Sequence, residues 1–283
     1  MSQRFSLFSN RRYRPWSYGF IACISALCVS LGNIQPSYGV SWLDLMMRGI
    51  QIVQISNISD SQEAELGKGI NQELISSGQA KISNNSVINN YINQIGQRLA
   101  KTSERPNISY TFQVVDDDSL NAFATMGGYV YINTGTIAAA DNEAELASVI
   151  GHEIGHIVGR HSIEQMRQQA ISQGLLSAAG LDRSNAIQIG VDLALNRPNS
   201  RTDELEADRF GLENLRKASY APSGILGFMN KLLKQGGSTP TFLSSHPATS
   251  DRIKALQENI DPKTANVGNG LDKQDYKNQI SAL

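Results

Sequence analysis

The chain has 283 residues, of which 18% are charged, and a formal net charge of −1. It therefore lacks the basic surplus of a nucleic-acid-binding protein, and it is long enough for one large domain with its own hydrophobic core. Both cysteines, Cys23 and Cys28, precede residue 40. If this segment is removed, the mature chain can form no disulfide and no thiolate metal site.

Residues 1–39 have the pattern of a secretory signal. Four arginines precede an apolar run at 16–31, small residues lie around position 39, and no acidic residue occurs before Asp44. We expect cleavage before Val40 and export to a periplasm, a lumen or the medium. An uncleaved anchor is the alternative, although a spanning helix needs about 20 residues. Contact with a membrane is expected only through this segment.

Beyond residue 40 the spacing of apolar residues predicts mainly helices. We expect helices at 40–58, 61–74, 87–101, 171–195, 200–217, 223–234 and 250–259. Strands are predicted at 110–115 and 127–135, on either side of a polar turn. The predicted fold class is α+β, mainly α-helical, with a small β-sheet beside the helix that contains residues 152–156. One domain is expected at 40–262, followed by a polar, mobile tail at 263–283.

The most informative motif is His152-Glu153-Ile154-Gly155-His156. Residues i and i+4 project from the same face of a helix, so His152 and His156 can bind one Zn²⁺ ion together. Glu153 lies beside them and can accept a proton from a zinc-activated water. The alternative is an ordinary amphipathic helix whose two histidines have structural partners.

A third ligand is expected in the acidic run at 200–208, because catalytic zinc usually has three protein ligands and no cysteine remains. Glu204 and Asp208 share one helix face, whereas Glu206 projects from another. We assign Glu204 as the ligand. Asp208 is expected to accept a hydrogen bond from the second ring nitrogen of a ligating histidine. The alternative is a solvated acidic helix face.

His161 lies one residue too early for the third histidine of the metzincin motif HExxHxxGxxH. On a continuing helix it would project about 140° away from His156. We therefore interpret His161 as a structural or surface residue, not as a metal ligand.

Together these motifs resemble the HtpX- and BepA-like zinc metallopeptidases, a gluzincin family that includes the CAAX prenyl-protein endopeptidases. The resemblance spans about residues 62–260, and four motifs support it: Asn121-Ala122-Phe123-Ala124 with Gly127-Gly128; His152-Glu153-x-x-His156; Ser200-Arg201-x-x-Glu204-x-x-Ala207-Asp208; and Ser245-His246-Pro247 with Arg252. No multiple membrane spans and no internal repeats are found, so we expect a soluble exported member without a repeat domain.

The resemblance implies a zincin-like domain with one Zn²⁺ per chain, held by His152, His156 and Glu204, with Glu153 as general base. It implies an edge strand at Gly128, Tyr129, Val130 and Tyr131, along which a peptide substrate lies. In BepA-like members the histidine that matches His246 can cap the zinc in a resting state. A surface-loop role for His246 is equally compatible with the sequence.

The predicted function is that of a zinc metalloendopeptidase that hydrolyses unfolded or misassembled exported proteins, with polypeptides as its partners. One alternative is a zinc-stabilised chaperone or assembly factor that binds peptides without cutting them. The intact Glu153 argues against it, since binding needs no general base. A purely structural zinc site is the weakest alternative, because such sites normally have four ligands that include cysteine.

Overall fold

The computed structural model describes residues 58–173, 183–196, 198–234, 244–247 and 250–283. The predicted signal segment and almost all of the helix predicted at 40–58 lie outside the described residues. Within the described ranges, no helix is both long and apolar enough to cross a membrane. These ranges form helices around a three-stranded sheet, so the predicted fold class, α+β and mainly helical, is confirmed.

The helices predicted at 61–74, 87–101, 200–217, 223–234 and 250–259 agree with the described ones to within two residues at each end. Of the helix predicted at 171–195, residues 174–182 lie outside the described residues, and the described parts belong to two helices. The described helices at 134–139, 161–172 and 273–279 were not predicted. The helices are α1 (Asp60–Ser76), α2 (Ser86–Ala100), α3 (Thr134–Ala139), α4 (Glu143–Val158), α5 (His161–Ser172), α6 (Arg183–Asn196), α7 (Arg201–Lys217), α8 (Ser223–Lys234), α9 (Ser250–Asn259) and α10 (Lys273–Gln279). The strands are β1 (Thr111–Val115), β2 (Ala122–Thr125) and β3 (Tyr129–Asn133).

Side-chain caps determine where the two site helices begin. Asn142 caps α4, because its side chain accepts a hydrogen bond from the backbone N–H of Glu145. Ser200 caps α7 in the same way, with Asp203 as the donor. Each cap satisfies one of the backbone N–H donors that the first turn of a helix leaves without an intrahelical partner, so both helices begin at defined positions.

The sheet has the order β1-β3-β2, which corrects the prediction that residues 128–131 form a substrate-binding edge. Strand β3 is central: it pairs in parallel with β1 and antiparallel with β2. Gly127 and Gly128 both have positive φ, which allows the tight turn that folds β2 back onto β3. Strand β2 is short and lacks alternation, so its pattern did not predict it. Among the described residues, β2 is the edge strand nearer the candidate site.

Helix α4 lies at the centre of the domain. Every residue from Ala144 to Ile157 is buried, and the helix packs against β2, β3, α2, α7 and α8. An amphipathic surface helix would leave one face in water. The burial of all faces explains why the stretch before the histidines is apolar in nearly every position.

The C-terminal segment is ordered, contrary to the mobile tail predicted at 263–283. Tyr276 of α10 is only 1% exposed, and its hydroxyl donates to the carbonyl of Ile137 at 2.5 Å. The carbonyl of Gly270 accepts a hydrogen bond from the N–H of Ala144 at 2.8 Å. The domain therefore extends past residue 262. One aromatic anchor in a polar segment produces no periodicity, which is why the sequence pattern missed it.

Candidate metal centre

Four side chains from three parts of the fold converge on one buried point. Helix α4 supplies His152 and His156, α7 supplies Glu204, and the segment at 244–247 supplies His246; each is at most 5% exposed. Nε2 of His156 lies 3.1 Å from Nε2 of His152 and 3.3 Å from Oε1 of Glu204. Nδ1 of His246 lies 3.3 Å from Nε2 of His152 and 2.9 Å from Oε1 of Glu204.

The charges of this cluster suit a cation. Burial by itself would raise the pKa of Glu204. The neighbouring rings of His246 and His152 have the larger effect and hold the pKa of Glu204 well below its usual value. Burial lowers the pKa of His156 to about 3, so this ring is neutral and its lone pair can bind a metal. Burial also opposes protonation of His152, but Glu204 and Asp208 raise its pKa to about 10. The negative charges of Glu204 and Asp208, which favour a proton on His152, also favour a divalent cation at the same place.

Asp208 lies where the sequence placed it, behind the first histidine. Its Oδ1 is 2.9 Å from Nδ1 of His152, so the carboxylate accepts the N–H of that ring and directs Nε2 towards the site. The carboxylate is itself held by Arg252, whose Nε and Nη2 each donate to it at 2.7 Å.

Arg252 lies behind the candidate ligands, on the side of Asp208 and Glu204. It is 1% exposed, and besides the bidentate contact with Asp208 its Nη1 lies 2.5 Å from Oε2 of Glu204. The same nitrogen donates to the carbonyl of Pro247 at 3.1 Å. Arg252 therefore orients two carboxylates and anchors the segment that bears His246.

Glu153 is fully buried at the mouth of the site. Its Oε1 lies 3.5 Å from Nε2 of His246, and within the described part of the chain neither carboxylate oxygen has a hydrogen-bond partner. Burial raises the pKa of this carboxyl. The side chain lines a cleft together with His156, Asn199 and the end of β2, including Ala124. A buried, raised-pKa carboxylate that faces a cleft is suited to general-base chemistry.

The two helices that carry the candidate metal ligands, α4 and α7, touch at glycine positions. A Cβ on Gly155 would lie 2.5 Å from the carbonyl oxygen of Ala207 in α7, and one on Gly151 would lie 3.5 Å from that of Gly211. The backbones of the two helices therefore approach each other closely at these two positions. Gly155 thus allows Glu204, one turn away from Ala207, to reach the two histidines.

His161 contacts the site in a way that helix geometry did not reveal. It is 4% exposed, and its Nδ1 lies 2.9 Å from Nδ1 of His156. The expectation of a 140° separation assumed a continuing helix, but α4 ends at Val158 and the chain reverses at Arg160, which has φ 55°. His161 is a buried structural residue and belongs to the surroundings of the ligands.

Asn199 is a second residue that sequence reasoning missed. Its Nδ2 lies 3.2 Å from Nδ1 of His246, and its backbone N–H donates to the carbonyl of Ser245 at 3.0 Å. Gln165 donates to its Oδ1 at 2.7 Å. Asn199 therefore fastens the His246 segment over the site. The only sequence signal was its position directly before the cap of α7.

Comparison with known proteins agrees with this geometry. Residues 86–260, more than half of the chain, match the model of peptidase family M48. The chain belongs to peptidase family M48. The resemblance to HtpX- and BepA-like metallopeptidases is thereby confirmed.

Three relatives illustrate the M48 match. The beta-barrel assembly-enhancing protease of Escherichia coli K12 is 29% identical over 258 residues, which cover 85% of this chain and 52% of that protein. Metalloprotease YcaL of the same strain is 26% identical over 254 residues, covering 85% and 96%. The mitochondrial metalloendopeptidase OMA1 of Arabidopsis thaliana is 37% identical over 164 residues, covering 56% and 33%. The chain thus spans about half of the first relative and a third of the last.

Proposed function

We propose that this M48 protein is a zinc-dependent endopeptidase that hydrolyses unfolded or misassembled exported polypeptides and rests in a closed state gated by His246. The observation that carries the proposal is the convergence of His152, His156, Glu204 and His246 on one point beside Glu153. Export, and with it a periplasmic location, is supported by the signal pattern of residues 1–39.

The donor set fits zinc. Zinc binds imidazole nitrogens and carboxylate oxygens at about 2.0–2.1 Å, and in a tetrahedral site such atoms lie about 3.3–3.4 Å from each other. The separations between donor atoms of these four residues run from 2.9 Å to 3.4 Å, the longest joining Nε2 of His152 to Oε2 of Glu204. Hard cations such as Ca²⁺ and Mg²⁺ prefer sites built from oxygen alone, so a cluster of three imidazoles disfavours them.

His152, His156 and Glu204 would hold the metal, and Glu153 would handle the proton. When bound, zinc supplies a Lewis acid that polarises the scissile carbonyl and acidifies water. Glu153 accepts a proton from the attacking water as its oxygen bonds to the carbonyl carbon. It then delivers that proton to the amine nitrogen as the C–N bond breaks. Within the described part of the chain, neither oxygen of the Glu153 carboxylate has a hydrogen-bond partner that would compete for this role.

His246 accounts for the resting state. Catalytic zinc sites keep one position open for water or substrate, whereas four protein donors close the site. Nδ1 of His246 would take this fourth position. The hydrogen bond of the Asn199 N–H to the carbonyl of Ser245 and the contact of Arg252 with Pro247 hold the segment that bears this ring. A substrate must displace this ring before hydrolysis begins.

Strand β2 would guide the substrate. Asn133 donates to the carbonyl of Asn121, so in this antiparallel pair the odd-numbered residues of β2 bond to β3. Ala122 and Ala124 then direct their N–H and C=O groups away from β3. Ala122 is fully buried, so Ala124, which lines the cleft, is the residue on which an extended peptide would pair. Backbone pairing gives affinity with little sequence selectivity, as unfolded substrates require.

A peptide-binding assembly factor is the second candidate. Its support is the closure of the site by four protein donors and the name of the E. coli relative, a beta-barrel assembly-enhancing protease. For either function we propose a role in β-barrel assembly, in which the bound polypeptides are nascent outer-membrane proteins.

The two candidates are separated by a casein-cleavage assay on three zinc-loaded proteins. These are wild type, His246→Ala, and the double variant His246→Ala/Glu153→Gln. We expect His246→Ala to cleave at least ten times faster than wild type, and the double variant to be inactive with zinc content unchanged. If zinc-loaded His246→Ala does not cleave, the peptide-binding role is favoured. If the double variant cleaves as fast as His246→Ala, Glu153 is not the general base.

A further inference from the structure

The turn after α4 directs one side chain back onto a metal-binding ring. Arg160 adopts the left-handed conformation, φ 55°, which non-glycine residues seldom adopt. The reversal places His161 at the start of α5, with its ring against His156 at a centroid separation of 5.0 Å. An unfavourable backbone conformation in a well-packed turn suggests that the surrounding structure requires it.

Gly159 provides the space for this ring. A Cβ at position 159 would lie 2.4 Å from Nε2 of His161 and 2.7 Å from its Cε1. Gly159, which directly follows α4, therefore faces an imidazole, whereas Gly151 and Gly155 face the backbone of α7. Gly159 and Arg160 together therefore allow the ring of His161 to pack against His156.

The hydrogen bonds allow one consistent arrangement of protons. Nε2 of His156 faces the other donors, so a metal there requires the ring proton on Nδ1. That N–H donates to Nδ1 of His161, at 2.9 Å. His161 then carries its proton on Nε2 and donates it to Oε2 of Glu206, at 3.2 Å. The chain ends at a carboxylate whose side chain is 44% exposed.

We propose that His161 and Glu206 are positioning residues that fix the ring and tautomer of His156 for metal binding. The inference rests on the proposed metal site. His152 has its own acceptor, Asp208, so the two ligating histidines have separate partners: a buried carboxylate for one, and an imidazole backed by a surface carboxylate for the other. Acceptors behind ligating histidines raise their basicity and typically contribute 10- to 100-fold to metal affinity.

The test measures zinc affinity on the full chain by competition with a colorimetric chelator, without an activity readout. His161→Phe keeps a ring but removes the acceptor, whereas His161→Asn keeps an acceptor near the position of Nδ1. We expect the Kd for zinc to rise about 10- to 100-fold in His161→Phe and to return to within a few-fold of wild type in His161→Asn. The visible absorption of bound Co²⁺ should shift in the first variant and be restored in the second.

Surface variants keep the inference testable if His161→Phe does not fold. Glu206→Ala should raise the Kd in the same direction by a smaller factor. Glu213→Ala, which removes another half-exposed carboxylate of α7 that contacts Arg209, should leave it unchanged.

Two results overturn the inference. One is an unchanged Kd in both His161→Phe and Glu206→Ala. The other is an equal loss of affinity in folded His161→Phe and His161→Asn, since that result would assign the effect to shape and not to the hydrogen bond. If the wild-type chain itself binds no zinc, the proposed function has failed, which is a different result.

Discussion

Replacement of Gly155 by alanine tests how the two ligand-bearing helices position the metal centre. The added Cβ would lie 2.5 Å from the carbonyl oxygen of Ala207 and 2.9 Å from its Cα, both backbone atoms that cannot rotate away. To restore an ordinary contact of 3.4 Å, α4 and α7 must separate locally by about 0.9 Å. Glu204 lies one turn from Ala207, so its carboxylate should move away from both histidines by a similar distance.

Gly151→Ala is the matched control. It lies one turn earlier on the same helix, and its Cβ would meet α7 at an ordinary distance of 3.5 Å. Both variants gain about 1 kcal/mol of helix propensity, but only Gly155→Ala incurs the overpacking cost of about 1–3 kcal/mol. Measured in EDTA, the free energy of unfolding of Gly155→Ala should therefore be about 1–3 kcal/mol below that of Gly151→Ala.

Zinc affinity provides the second readout of this comparison. Misplacement of one ligand by most of an ångström should raise the Kd at least about tenfold in Gly155→Ala, a loss comparable to that of an orienting residue. Gly151→Ala should bind zinc as wild type does. Equal stabilities in EDTA and equal Kd values for the two variants would refute the reasoning that the Gly155 contact sets the position of Glu204.

Two further predictions concern the C-terminal segment and the buried arginine. Tyr276→Ala should lower the free energy of unfolding in urea by about 3–5 kcal/mol, and Tyr276→Phe by about 1 kcal/mol; a mobile tail would make both variants neutral. Arg252→Met should cost about 3–5 kcal/mol in EDTA, because it removes the buried arginine that pairs with the carboxylates of Glu204 and Asp208. Its control, Arg201→Met, removes an exposed ion pair with Asp251 and should cost at most about 1 kcal/mol. Equal effects of these two arginine variants would contradict the account of the site.

The sequence was informative where chemistry depends on local spacing. The i, i+4 relation predicted that His152 and His156 face one point, and the same relation placed Glu204 and Asp208 together on α7. The structure brings all four together. The boundaries of the helices predicted at 61–74, 87–101, 200–217, 223–234 and 250–259 also agree with the structure, because caps such as Ser200 act within a few residues of where they occur.

What the sequence missed depends on contacts between distant segments or on turns. Strand order follows from pairing across the sheet, so β3 was mistaken for an edge strand. The contact of His161 with His156 depends on the left-handed conformation of Arg160, which no residue pattern predicts. The position of Asn199 against His246 joins residues 47 apart in the chain. None of these arrangements produces a periodic signal.

The most direct test of the central claim is zinc K-edge X-ray absorption on the wild-type chain loaded with one equivalent of Zn²⁺. The account predicts a shell of nitrogen and oxygen atoms at about 2.0–2.1 Å, with the outer scattering typical of imidazole. It also predicts that His152→Ala/His156→Ala loses this spectrum. A sulfur shell at about 2.3 Å, or an unchanged spectrum in the double variant, would contradict a metal centre built from His152, His156 and Glu204.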